Sequence, residues 1–160
     1  HRMFQVVNKE MATSTYHWFF LIQPYDFPER VIGANPDYFL RYRFERMENH
    51  QTIFPAEVLD EYARCFSDPK TIHATCEDYR AGASIDLEHD EADLKAGRKI
   101  ACPLLVLWGA KGNVGRLFDP MAVWREHASD VRGRAMPSGH NIQLEAPAET
   151  LTELRGFLRA

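Results

Sequence analysis

The chain has 160 residues, 45% hydrophobic and 26% charged, with a formal net charge of −4. That is enough apolar material for one domain-sized core plus an appendage. Lysines and arginines are scattered, no apolar run is long enough to cross a bilayer, and the first residues lack the composition of a signal peptide, so neither a nucleic-acid nor a membrane surface is expected.

Cys65, Cys76 and Cys102 are odd in number, far apart and in apolar surroundings. They are expected to be buried free thiols in a reducing, cytoplasmic setting. The chain opens mid-pattern at His1-Arg2-Met3-Phe4 without an initiator methionine, as expected for the C-terminal part of a longer protein.

From Lys9 to Leu21, Ala12, Tyr16, Phe19 and Phe20 recur at helical spacing, with Trp18 and Ile22 widening the apolar surface, which predicts one aromatic helix. Two prolines between Gln23 and Glu29 end it. Asn35-Pro36 is a cap followed by a proline suited to a first helical position, and Phe39, Leu40, Phe44 and Met47 continue that helix. After a polar gap, Glu48 to Thr52, another helix begins near Pro55 with Val58, Leu59, Tyr62 and Phe66 as its stripe. Asp68-Pro69 repeats the cap signal. Ile72, Thr75, Cys76 and Tyr79 then follow at three- and four-residue steps, which puts Tyr79 one turn after Cys76 on the inward face.

Asp86 to Lys99 is charged and acidic in its first half. Its carboxylates and His89 match no calcium or zinc loop spacing, so it reads as a solvated helix face. The texture changes at Ile100. Pro103 to Trp108 is a continuous apolar run ended by Gly109, the pattern of a buried parallel strand. Asp119-Pro120 caps a helix carrying Met121, Val123, Trp124 and Ala128. Arg134-Ala135-Met136 is a second short strand, ending at Pro137 and the turn Ser138-Gly139-His140. Pro147 starts the last helix, with Leu151, Leu154, Phe157 and Leu158 expected to face inward.

His140 therefore follows a strand and precedes a helix, where open α/β sheets place reactive groups. Glycine beside it allows a tight turn, and imidazole can take and return a proton near neutrality. No Gly-X-Asp-X-Gly or Gly-X-Ser-X-Gly elbow occurs in the chain, so a nucleophile for His140 is expected from elsewhere. Two parallel strands do not make a stable sheet alone, which again points to upstream core strands.

Leu105-Val106-Leu107-Trp108-Gly109, then Gly139-His140, then Glu145-Ala146-Pro147 and a closing helix, resemble the C-terminal end of an α/β-hydrolase, in which nucleophile, acid and histidine come in that chain order. The helical half resembles the cap of haloacetate (fluoroacetate) dehalogenases in Tyr16-His17-Trp18, Gln23-Pro24, Asn35-Pro36-Asp37 and Cys76-Glu77-Asp78-Tyr79-Arg80-Ala81-Gly82, and Asp130-Val131 fits as well. The resemblance implies an α/β fold lacking its N-terminal core strands, with residues 1–95 as a helical cap region and 96–160 as the C-terminal part of the core.

It further implies an enzyme that cleaves a small haloacid through an aspartyl ester. His140 would be the base that activates water, and His17, Trp18 and Tyr79 the donors to the halide. No metal or organic cofactor is implied, and a homodimer is compatible with it. The fragment alone would lack its nucleophile. The acid would follow the preceding strand, because Lys111-Gly112-Asn113 stands after Trp108-Gly109 and Asp119 is better explained as a helix cap. Met47 stands where close relatives of this group are expected to have an aromatic pocket residue.

Without the resemblance, His17 and Trp18 in an aromatic helix and Tyr79 on an apolar stripe read as core packing, and His17 and Trp18, being adjacent, point about 100° apart on a helix. Two other readings are an epoxide hydrolase of the same fold, with Tyr79 acting beside Tyr16 or Tyr42, and a non-catalytic binding protein.

Overall fold

In the computed structural model, the structure describes residues 7–45 and 50–159, and of His50 the backbone alone. The chain divides into two compact units, His1–Glu88 and His89–Ala160. The division falls inside helix Ile85–Lys95, whereas the family resemblance implies a boundary at 95–96, where that helix ends.

The first unit is helical: α1 (Lys9–Ser14), α2 (Tyr16–Leu21), α3 (Phe27–Gly33), α4 (Pro36–Glu45), α5 (His50–Ile53), α6 (Ala56–Phe66) and α7 (Pro69–Gly82). Helix α7 organises it. Asp68 caps its start by accepting from the Lys70 amide at 2.8 Å, and Pro69 occupies the first turn, where a missing N–H costs nothing. Ile72 and Cys76, one turn apart, are buried with Leu21 and Ile32, and Phe20, Phe39, Phe66 and Tyr79 pack around them. Through that stripe α7 contacts α2, α3 and α6. The Asn35 side chain accepts from the Tyr38 amide at 3.1 Å, as its place before Pro36 predicts.

The single helix expected from Lys9 to Leu21 is two. Thr15 leaves helical geometry (φ −121°, ψ 29°). Its hydroxyl donates to the Met11 carbonyl at 2.6 Å and its amide donates to the same oxygen at 2.8 Å. A β-branched hydroxyl bonded back to the preceding turn competes with the helical ladder, so α2 starts afresh at Tyr16. The stripe on α6 is narrower than expected: Leu59 is buried, but Tyr62 lies exposed with its ring against Phe44 and Phe54. Met47 lies outside the described residues.

Helix α8 (Ile85–Lys95) carries the acidic run and buries none of its residues, as a solvated face should. The second unit follows, with β1 (Leu104–Gly109), α9 (Asn113–Leu117), α10 (Pro120–His127), β2 (Val131–Met136), α11 (Ile142–Glu145) and α12 (Pro147–Leu158). The strands pair in parallel, Leu104 beside Val131 through Gly109 beside Met136. Strand β2 thus begins earlier than the three residues the sequence suggests, because Asp130 and Val131 already meet the start of β1. Asp119 caps α10 by accepting from the Ala122 amide at 3.0 Å.

Of the four residues expected to face inward on helix α12, Phe157 does and the three leucines do not. Thr150 is buried and Glu153 and Phe157 half-buried, whereas Leu151, Leu154 and Leu158 are exposed. The reason lies on β2, which presents Arg134 to Glu153 at 3.0 Å and Arg132 over the Phe157 ring at 5.1 Å. The cationic strand selects an acidic and aromatic helix face. Of the three free cysteines only Cys76 is buried; Cys65 and Cys102 are exposed, which corrects the expectation of three buried thiols. Burial pushes the Cys76 thiol up to about 11, so it is a packed, unreactive sulfur. No helix among the described residues is long and apolar enough to cross a membrane.

Candidate active site

His140 sits on a turn that the end of β1 holds from beneath. The Ala110 amide donates to the Met136 carbonyl at 3.0 Å, and the Lys111 amide to the Ser138 carbonyl at 3.0 Å. Parallel pairing therefore continues past the strands into the histidine turn. Gly109 lies flush against that turn, where an added Cβ would overlap the Gly139 carbonyl oxygen. The glycine of the Trp-Gly pair is thus required by the close approach of another backbone. Ser138 is buried while His140 is exposed: the turn is anchored and its imidazole projects outward.

Gly109→Ala in the full-length protein should therefore displace the His140 turn or the end of β1. The expected cost is about 3 kcal/mol, at the upper end for overpacking, with hydrolytic activity lost in parallel. Thermal denaturation and initial rates measured together check this.

A second contact holds the turn, through a residue of the Glu145-Ala146-Pro147 motif to which the sequence alone assigns no role. The Glu145 carboxylate accepts from the Gly139 amide at 2.6 Å and from the Asn141 amide at 2.9 Å. The signal was available, since a glutamate at the end of a short turn of helix is placed to reach back over the preceding loop.

In the first unit, the structure brings His17, Trp18 and Tyr79 together. The Tyr79 ring meets the His17 ring edge-to-face at 5.8 Å (79°) and the Trp18 ring at 5.4 Å (88°). The Tyr16 ring in turn meets His17 at 5.8 Å (83°). The approximately 100° between neighbouring helical residues is accommodated because one partner ring touches both, and because the break at Thr15 starts α2 in its own orientation. Edge-to-face pairs of this kind are favourable beyond their buried area. All three side chains are half-buried, and each carries a hydrogen-bond donor. Tyr42 lies elsewhere, exposed beside Tyr38.

Beside Tyr79, Arg80 is the hub of an ion-pair network. Its guanidinium bonds both oxygens of Glu29, at 2.7 and 2.9 Å, donates to the Gln23 carbonyl at 2.9 Å and also bonds Glu77. The Arg80 and Glu29 side chains keep only 16% and 11% of their exposure. The hydrogen bonds from Arg80 hold the Glu29 carboxyl at about 2 against the opposing effect of burial. Arg80 thereby ties α7 to α3 and to the segment just after α2, fixing the elements that carry Tyr79, His17 and Trp18. Glu29, His73 and Glu77 are the group among the described residues whose donor atoms lie close enough for a metal. The Arg80 cation already bonds both of those carboxylates, so the cluster is an ion-pair hub.

No family model matches the chain. It is 40% identical over 157 residues to a fluoroacetate dehalogenase from Burkholderia sp, matching 98% of this chain and 51% of that protein. A solved structure from Nostoc sp PCC 7120, described as an α/β-hydrolase, is 54% identical with a TM-score of 0.90, over 99% of this chain and 54% of that one. Another from Pseudomonas aeruginosa, described as an epoxide hydrolase, is 42% identical with a TM-score of 0.88, over 98% and 52%. The chain spans about half the length of these relatives and corresponds to their C-terminal part.

Proposed function

Starting from a chain with the fold of the C-terminal part of an α/β-hydrolase, we propose that the full-length protein is a hydrolase that removes halide from a small 2-haloacid, fluoroacetate being the substrate that fits best. The observation that carries this reading is the meeting of His17 and Trp18 on Tyr79, which gathers three N–H and O–H donors in one half-buried cluster. Fluoride leaves poorly unless fixed donors meet its charge in a site poor in water. The similarity to a fluoroacetate dehalogenase supports the same substrate class.

In this scheme an aspartate supplied outside this chain attacks the halogen-bearing carbon. The new C–O bond forms as the C–F bond breaks, and fluoride leaves with the bonding pair toward the three donors. His140 then takes a proton from water, and the resulting hydroxide attacks the ester carbonyl. The acyl–oxygen bond breaks, the alkoxide product recovers the proton from the imidazolium to give glycolate, and the aspartic acid left behind releases its proton to solvent, restoring the carboxylate. The scheme calls for no metal or organic cofactor.

Fluoride release from fluoroacetate, read with a fluoride electrode, tests the reading directly. The Pseudomonas relative described as an epoxide hydrolase motivates a second reading, in which tyrosines of this cluster, Tyr79 with Tyr16, protonate an epoxide oxygen. Diol formation without halide release would favour it. Tyr79→Phe keeps both ring contacts and removes one donor, so it should slow defluorination by about tenfold or more and dechlorination much less, because chloride needs less help to leave. Equal losses for the two halides would assign Tyr79 to packing.

A further inference from the structure

We propose that Glu145 is the positioning residue that holds His140 in the orientation required for ester hydrolysis, an inference that rests on the hydrolytic reading above. One carboxylate bridges both sides of the histidine, with Oε2 taking the amide before it and Oε1 the amide after it. An ordinary capping interaction would satisfy the Asn141 amide at the start of α11. The second bond reaches past the helix to Gly139, on the far side of His140, and capping does not require it.

The surroundings are shaped for this bridge. A Cβ on Gly139 would lie 2.9 and 3.1 Å from the two carboxylate oxygens, so the glycine admits the glutamate as well as the turn. Glu145 is itself held in place: buried Thr150 on α12 donates its hydroxyl to the Ile142 carbonyl at 3.0 Å, at the start of α11, and Ala146 beside Glu145 is buried. A chain of contacts thus runs from α12 through α11 to the two amides flanking the imidazole. Glutamate suits the place. Glutamine offers one oxygen and would turn an NH2 group on the second amide, and aspartate is a methylene too short to span both.

The test separates the two half-reactions in the full-length enzyme. Halide release reports ester formation, before His140 acts, and glycolate release reports ester hydrolysis. Glu145→Gln should leave the first halide burst within about twofold of wild type and slow glycolate formation about 30-fold, the scale of a small misplacement of a reacting group. The ester should then accumulate and KM fall with kcat. In a His140→Asn background, Glu145→Gln should cause no further loss.

Thr150→Val, which frees α11 without touching the carboxylate, should show the same split to a smaller degree and serves if Glu145→Gln folds poorly. Wild-type glycolate release in Glu145→Gln, or equal slowing of both steps in either variant, overturns the assignment. If the wild-type enzyme forms no ester with any haloacid, the hydrolytic reading fails and takes this inference with it, and that outcome is distinct from the other two.

Discussion

His140→Asn in the full-length protein should stop the reaction halfway. One equivalent of halide is released per active site, turnover then falls by about 10³-fold as expected for loss of a general base, and mass spectrometry finds one carboxymethyl group esterified to an aspartate. The physical reason is the division of labour proposed here: the base is needed only once water must attack the ester. Asparagine keeps the side chain's bulk, and the turn beneath it is held by backbone bonds and by Glu145, so the fold has no cause to change. No adduct after substrate addition would assign the exposed His140 to the surface and end the proposal.

Arg80→Met should be strongly destabilising for the helical unit, costing about 3 kcal/mol, because it removes the two guanidinium bonds from a mostly buried Glu29 carboxylate and leaves it the half-exposed His73 ring at 3.2 Å. The acid limb of stability gives an independent check. Glu29 is held at about 2, below the ordinary carboxylate value of 4.5. The stabilisation it supplies is therefore complete above about pH 4.5 and is lost as pH falls through 2. The difference in stability between wild type and Arg80→Met should accordingly be full at pH 6 and shrink steadily below pH 4.5. Replacing Glu29 by methionine in the same variant should recover much of the loss, since the penalty belongs to the stranded charge. Halide release should suffer in Arg80→Met as well, because Arg80 joins the helix bearing Tyr79 to the segment after His17 and Trp18. A pH-independent difference would mean that the pair contributes packing alone.

Helix starts were legible because they depend on local chemistry. Asn35, Asp68 and Asp119 each place a short polar acceptor before a proline, and each accepts from a backbone amide two or three residues on. The strand run ending at Gly109 was legible as a strand, since a short apolar run stopped by glycine reads that way, although in the structure Val106 and Gly109 are buried and its other residues half-buried. Thr15 was missed because a single hydroxyl bond to the preceding turn overrides an apolar period that runs through it. The face of α12 was read only in part: Phe157 packs as expected, under Arg132, but Leu151, Leu154 and Leu158 are exposed and Glu153 instead meets Arg134 on β2.

By itself, then, the amino-acid order determined where most of the longer helices and the two strands lie, three of the caps, and that a histidine would stand in the turn after the second strand, because period, capping and turn chemistry act over a few residues. Only the folded chain decided that Tyr79 meets both His17 and Trp18, that Arg80 gathers Glu29, Glu77 and the Gln23 carbonyl, and that one carboxylate spans the amides flanking His140. Those contacts depend on directions in space between groups as many as 62 positions apart, such as His17 and Tyr79, and no local pattern encodes such directions.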